Sequence, residues 1–137
     1  MDANLKHEQE AGSPLQHFLG YTLTQWEPDR AVVTLTLRQE HLNRSGTMHG
    51  GVIAMLADAA GGYCGCYCAE PGTARYSVSL SLTVDFVAAI RGGTVVAEGR
   101  RIGGGKTIFF GRIEIRDEQG QLCATASGTF RYVGTPR

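Results

Sequence analysis

The chain lacks the run of about 18 apolar residues that a membrane-spanning helix needs. Its longest candidate, residues 52–69, is interrupted by Asp58. Net charge is also missing, because 13 Lys and Arg balance 13 Asp and Glu. A neutral chain has no electrostatic footprint for a phosphate backbone, so neither nucleic acid nor a membrane is an expected partner. Residues 1–10 are largely polar, so no secretory leader is expected. Cys64, Cys66, Cys68 and Cys123 are therefore expected as free thiols in a reducing cytoplasm, not as a disulfide framework. No internal repeat or low-complexity tract is present.

What the sequence does hold is an ordinary globular balance, 42% hydrophobic and 19% charged over 137 residues. That length suits one domain with a real core. Glycine is abundant at 19 residues with no fixed period, which places it in turns and close backbone contacts. Nothing apolar recurs in residues 1–13, expected as a flexible tail; residues 134–137 are expected as a second tail, leaving one domain at 14–133. Ser13 as N-cap, Pro14 at the first helical position and Gly20 as the stop predict one short helix. Strands are predicted at 21–27 and 31–37 around Pro28-Asp29. A long helix at 51–69 follows, ended by Pro71-Gly72.

The cleanest alternation lies at 77–86. Val78, Leu80, Leu82, Val84 and Phe86 are predicted on one face and Ser77, Ser79, Ser81, Thr83 and Asp85 on the other. Three further strands at 94–102, 107–116 and 122–133 are joined by hairpins at Gly103-Gly104-Gly105 and Asp117-Glu118-Gln119-Gly120. The resulting class is α+β, an antiparallel sheet of about six strands packed on one long helix. One helix covers one face only. The late strands' other face mixes Arg112, Glu114 and Arg116 with Ile108 and Phe110, so a second subunit is expected to cover part of it.

Chemistry concentrates in residues 41–58. Asp58 is the only carboxylate between Glu40 and Glu70, and it sits inside an apolar helix. Ala54, Gly61, Gly62 and Gly65 share its helical face, all of them small. Such an Asp is either an ordinary paired or solvent-facing residue or a carboxylate aimed into a cavity. Buried alone it would be costly, so a cavity position suits a catalytic base or nucleophile. Gly50-Gly51 opens the helix, where unpaired N–H groups and the positive end of the dipole suit a carbonyl oxygen that gains negative charge. Taken alone, that pair is as readily a tight turn.

The set His41, Asn43, Gly46, His49, Gly50, Gly51 and Asp58 closely resembles the hotdog-fold acyl-CoA thioesterases of the phenylacetic-acid-degradation (PaaI) type. The element order agrees from about residue 14 to residue 133. The resemblance implies a hotdog fold, with the sheet wrapped around the central helix, and hydrolysis of an acyl- or aryl-acyl-CoA to the free acid and coenzyme A. It implies Asp58 as general base or nucleophile and the Gly50 N–H as polariser of the thioester carbonyl. Asn43 would bind the reacting group or the water, and Ser79 would hold that water. His49 would orient the loop before the helix, with an acid–base role the less favoured reading. Sites shared across a dimer, and dimers paired into a tetramer, are implied as well. No cofactor or metal is expected, coenzyme A entering as part of the substrate. The family often carries Pro just after the long strand, where this chain has Ala88-Ala89, a departure at the turn that follows.

Two rival functions keep the same fold: a non-catalytic acyl-CoA binder, and an enoyl-CoA hydratase or dehydratase. Asn43, Gly50 and Asp58 together favour the hydrolase, since a binder has no use for a desolvated carboxylate and a hydratase calls for an Asp/His pair. Arg100, Arg101 and Lys106 flank a glycine hairpin; with Arg91 they are either solvated charge or a clamp on the phosphates of coenzyme A. Cys64, Cys66 and Cys68 lack a nearby His to complete a tetrahedral metal set, so they are expected to pack the helix. Trp26, Phe18 and Tyr21 are expected in the core or an acyl pocket.

Overall fold

Six strands pair antiparallel in the order β1-β2-β4-β5-β6-β3 and helix α3 packs against every one of them. The computed structural model describes residues 1–134. The strands are β1 (Thr22–Glu27), β2 (Arg30–Thr36), β3 (Tyr76–Phe86), β4 (Thr94–Gly104), β5 (Ile108–Arg116) and β6 (Leu122–Val133). The helices are α1 (Ala3–Ala11), α2 (Pro14–Leu19) and α3 (Gly50–Cys64), with a short 3-10 turn at Gln39–His41. One central helix against a six-stranded antiparallel sheet is the α+β arrangement that the sequence pattern predicts and the hotdog fold that the resemblance implies.

The helix sits close to the sheet because small residues meet there. α3 buries Ile53, Leu56, Ala57, Ala60, Gly61 and Cys64, a stripe at helical spacing. A Cβ on Gly99 of β4 would stand 2.4 Å from the Ala60 carbonyl oxygen, so only glycine allows this approach. Phe109 and Phe130 fill the space beyond, stacked with centroids 5.0 Å apart and fully buried. Each contributes roughly 2–3 kcal/mol by burial.

Four expectations need correction. Residues 1–13 are not a tail: Ala3–Ala11 is helical, capped by the Asp2 carboxylate, which accepts from the Asn4 and Leu5 N–H groups at 2.9 and 3.1 Å. Asn4 is buried and ties α1 to the chain after α3, donating to the carbonyls of Cys68 (2.7 Å) and Glu70 (2.9 Å). A polar anchor of this kind leaves no hydrophobic period to read. Next, α3 ends at Cys64, five residues earlier than predicted, where the Tyr63 carbonyl accepts from both Cys66 N–H (2.9 Å) and the Trp26 indole (3.0 Å). Phe18 is 69% exposed and lies in neither core nor pocket. Beyond Gly134, the second expected tail lies outside the described residues.

The fourth correction shapes the site. β3 bulges between Ser79 and Ser81, so Leu80 is an extra residue against β6. A bulge of this kind shifts the alternation by one. Ser77 and Ser79 therefore face the helix, together with Leu82, Val84 and Phe86, rather than opposite them. Val78 and Leu80 turn outward and are 43% and 55% exposed. β3 is also a sheet edge, bonded on one side only.

Candidate active site

Asp58 lies on the third turn of α3 and its half-buried carboxylate accepts a hydrogen bond from the Ser79 hydroxyl on β3. One turn further on, the Ser77 hydroxyl donates to the Gly62 carbonyl at 3.2 Å and so fixes the strand against the helix. These groups open into a cavity of about 220 Å³, whose walls include Trp26, Tyr63, Tyr76 and Ala59. Trp26 and Tyr63 meet edge to face, with centroids 5.5 Å apart. Tyr63 donates its hydroxyl to Glu8 of α1 at 3.0 Å; burial, then the nearby carboxylate, holds its phenol well above the usual range. Burial likewise raises the Tyr21 phenol, to which the negative charge of Asp58 adds.

The small-residue face of α3 divides between two tasks. Gly61 and Gly65 admit aromatic rings, Phe130 and Phe109 respectively, which would stand 2.6 and 2.5 Å from an added Cβ. Ala59 and Gly62 instead line the cavity beside Asp58.

Asn43, His49 and Gly50 lie elsewhere. His49 caps α3, its Nδ1 accepting the Gly51 N–H at 2.8 Å. That leaves the Gly50 N–H, on the first helical residue, without a partner among the described residues. Gly50 borders a separate depression with Phe86, Ile53, Ala88 and Ala89. Eight residues of helix separate Gly50 from Asp58, roughly 12 Å along the axis. Asn43 is exposed and folded into its own loop: its Oδ1 accepts the N–H groups of Ser45 (2.9 Å) and Thr47 (3.1 Å), and its amide donates to Thr47 Oγ1 (2.9 Å). So within one subunit Asp58 and Ser79 meet, whereas Asn43 and Gly50 stay apart from them.

The four basic candidates do not form one cluster either. Arg100 pairs with Glu98 at 3.1 Å. Arg101 borders a depression with Arg75, Tyr67 and Tyr132, and Lys106 tips the adjacent hairpin, its carbonyl bonded by Arg75. Arg91 lies at the far end of β4, beside Asp117 and Glu118. The length of β4, roughly 33 Å, separates Arg91 from Lys106. Among the described residues no group of three or more His, Cys, Asp or Glu is placed to hold a metal ion.

Sequence reasoning missed two contributors, Tyr63 and Glu8, and gave a third, His41, a place in the motif but no role. Tyr63 and Glu8 carry no motif, and Glu8 joins the cavity only because α1 folds back. His41, fully buried, organises the loop before α3: its Nδ1 accepts the Arg38 N–H at 2.9 Å and its Nε2 lies 2.8 Å from the Leu19 carbonyl. Its own carbonyl accepts the His49 N–H at 2.8 Å, which sets the helix start. A His alternating with Asn43 ahead of a helix was the available signal.

A family model described as the thioesterase superfamily matches residues 45–124, from the loop before α3 into β6. A mouse protein named acyl-coenzyme A thioesterase 13 is 28% identical over 79% of this chain and 76% of its own length. Among solved structures, a Haemophilus influenzae thioesterase superimposes with a TM-score of 0.84 at 26% identity, covering 95% of this chain and 90% of its own. The E. coli PaaI protein from the phenylacetic acid degradation operon gives 0.82 at 25% identity, over 96% and 92% of the two chains. The chain belongs to the thioesterase superfamily and is a thioester hydrolase.

Proposed function

We propose that the enzyme hydrolyses acyl- or aryl-acyl-CoA thioesters at a site built between two subunits. The observation that carries this reading is the Asp58–Ser79 pair at the mouth of an aromatic-walled cavity, with an uncommitted Gly50 N–H too far along the same helix to reach the same carbonyl. In a symmetric pair, Gly50 and Asn43 of one subunit face Asp58 and Ser79 of the other, and the two halves complete each other. The β3 edge supports such pairing: it is long, half apolar and bonded on one side only. Ile102 and Phe110, exposed on the outer face, support a further pairing of dimers into a tetramer.

In this reading the Gly50 N–H, at the positive end of α3, polarises the thioester oxygen. Asp58 supplies the electron pair, either by attacking the carbonyl carbon or by taking a proton from the water that does. The tetrahedral intermediate then expels the coenzyme A thiolate, which takes up a proton. On the water route the acid leaves directly; on the attacking route water first cleaves the mixed anhydride formed with Asp58, releasing the acid and restoring the carboxylate. Ser79 aims the carboxylate, Asn43 holds the loop that presents Gly50, and His49 caps the helix so that Gly51 does not compete for the oxygen. The carbonyl of a thioester is already activated, so the reading includes no cofactor. Arg101 and Lys106, on one hairpin, are assigned to the phosphates of coenzyme A; Arg91 and Arg100 are placed elsewhere or paired. Four free cysteines support a reducing, cytoplasmic setting.

The test is thiol release from a panel of acyl- and aryl-CoA esters by wild type and Asp58→Asn. Loss of turnover by orders of magnitude in a variant that still binds supports the reading. Binding without turnover in the wild type points to the non-catalytic binder instead.

A further inference from the structure

The cavity beside Asp58 reaches helix α1, and the one α1 side chain that lines it is Glu8. Its carboxylate is held there by the Tyr63 hydroxyl at 3.0 Å. Tyr63 in turn is braced by Trp26, whose ring meets it edge-on and whose indole donates to its carbonyl at 3.0 Å. α1 is not loosely placed. Asn4 bonds Cys68, Glu70 and Gly72, Tyr67 donates to Asp2 at 2.7 Å, and Gln9 donates to the Leu23 carbonyl at 2.8 Å. The helix is therefore pinned at both ends, with Glu8 between the pins.

We infer that Glu8, latched by Tyr63, is the specificity-determining end wall of the acyl pocket and stops apolar acyl tails at a fixed length. The inference rests on the acyl pocket lying beside Asp58, as proposed above. Trp26, Tyr63, Tyr76, Ala59 and Gly62 give the cavity aromatic or small walls, with Arg75 also on its lining, so a growing alkyl tail gains burial along them until it meets the carboxylate. Beyond that point, each methylene must strip water from a carboxylate held by the Tyr63 hydroxyl, which costs more than the methylene gains. A wall of this kind sets chain length by polarity as well as by size, and it exists only because the N-terminal segment folds back as α1.

The single tryptophan, Trp26, stands in this wall and reports its occupancy without any turnover. The experiment titrates wild type, Glu8→Leu and Glu8→Gln with non-hydrolysable S-alkyl-CoA thioethers from ethyl to dodecyl, reading Trp26 fluorescence. Thiol release from the matching acyl-CoA esters is measured alongside. Wild-type affinity is expected to rise about fourfold per methylene and then to stall. In Glu8→Leu the rise continues at least two methylenes further, a gain of roughly tenfold or more for the longer tails, with short ones unchanged. Glu8→Gln keeps the shape and the Tyr63 contact, and shifts the stall in the same direction by less; it carries the test where the leucine variant does not fold.

A stall at the same length in all three proteins overturns the inference, as does thioether binding that leaves Trp26 fluorescence unmoved. A shifted stall in proteins that release no thiol upholds the end wall and overturns the hydrolytic role of Asp58. Failure to bind any thioether overturns both.

Discussion

The Ser79 hydroxyl donates to Asp58 across the gap between β3 and α3, and the two meet because Leu80 bulges out of the strand. In an unbroken strand Ser79 would share its face with Ser81 and Thr83, both exposed. The bulge is thus the backbone device that delivers a hydroxyl to the carboxylate. It is also the reason why a run of alternating serine and aliphatic residues gives the wrong inward set when read directly.

Ser79→Ala is expected to lower kcat by roughly 10- to 100-fold, the weight of one hydrogen bond to a charged group. KM should move much less, because the hydroxyl touches the carboxylate and not the acyl tail. Ser79→Thr keeps the hydroxyl and should recover most of the rate. Steady-state thiol release separates these outcomes, and equal kcat in wild type and Ser79→Ala would remove Ser79 from the site.

Much of the fold is legible in the sequence, for identifiable reasons. β4, β5 and β6 alternate cleanly and are parted by glycine-rich turns, and α2 carries its own cap and stop. Asp58 stands out because no other carboxylate lies near it in the chain. What escapes is what depends on contacts distant in sequence. α1 is held by a polar side chain reaching the carbonyls of Cys68 and Glu70, which leaves no period to detect. The end of α3 is set by Trp26 and by the turn at Cys66, not by Pro71. Glu8 and Tyr63 join the cavity only once α1 has docked.

Two glycines should respond oppositely to alanine. On Gly99 the new Cβ meets the Ala60 carbonyl at 2.4 Å, backbone that cannot move without shifting α3. Gly99→Ala is expected to destabilise by about 1–3 kcal/mol or more. On Gly111 the nearest atoms, Cys64 Sγ and the Phe130 ring, stand at 3.4 Å, an ordinary contact. Gly111→Ala is expected to be neutral or to stabilise by about 0.4–1 kcal/mol through the unfolded chain. Urea unfolding of both variants checks the contrast.

Stability should fall on the alkaline side. Burial pushes the Cys64 thiol up to about 12 and the Cys66 thiol up to about 11, from an ordinary value of 9.0. Unfolding frees both to ionise at their ordinary value, so above it the unfolded state holds fewer protons than the folded one. The contribution is intact below about pH 9 and is lost as pH rises, at up to about 1.4 kcal/mol per unit for each thiol. Denaturant midpoints measured between pH 7 and 11 should decline from about pH 9. Cys66→Ala should flatten that decline, whatever it does to stability at neutral pH.

His41→Ala should weaken both the fold and the helix start. It leaves the Arg38 N–H and the Leu19 carbonyl without the ring that joins them, at about 1–3 kcal/mol for each buried group. The loop that presents Gly50 then loses its brace, so kcat is expected to fall as well, although the ring lies away from the cavity. Denaturation midpoints and turnover measured below the transition give the two effects separately.

The shared site makes a sharper prediction. Asp58→Asn disables one half of each site. Gly50→Pro disables the other, because proline lacks the N–H yet is tolerated at the first position of a helix. Each variant alone is expected to be inactive. When the two are unfolded, mixed in equal amounts and refolded together, half of the dimers hold one subunit of each kind. Each mixed dimer then has one site with an intact Gly50 from the first subunit and an intact Asp58 from the second, while its other site carries both lesions. Activity should return to about a quarter of the wild-type level by this symmetry. If Gly50 and Asp58 of the same subunit served one carbonyl, every site in the mixture would carry a lesion and no activity would return. Recovery therefore distinguishes a site between subunits from a site within one, using turnover alone.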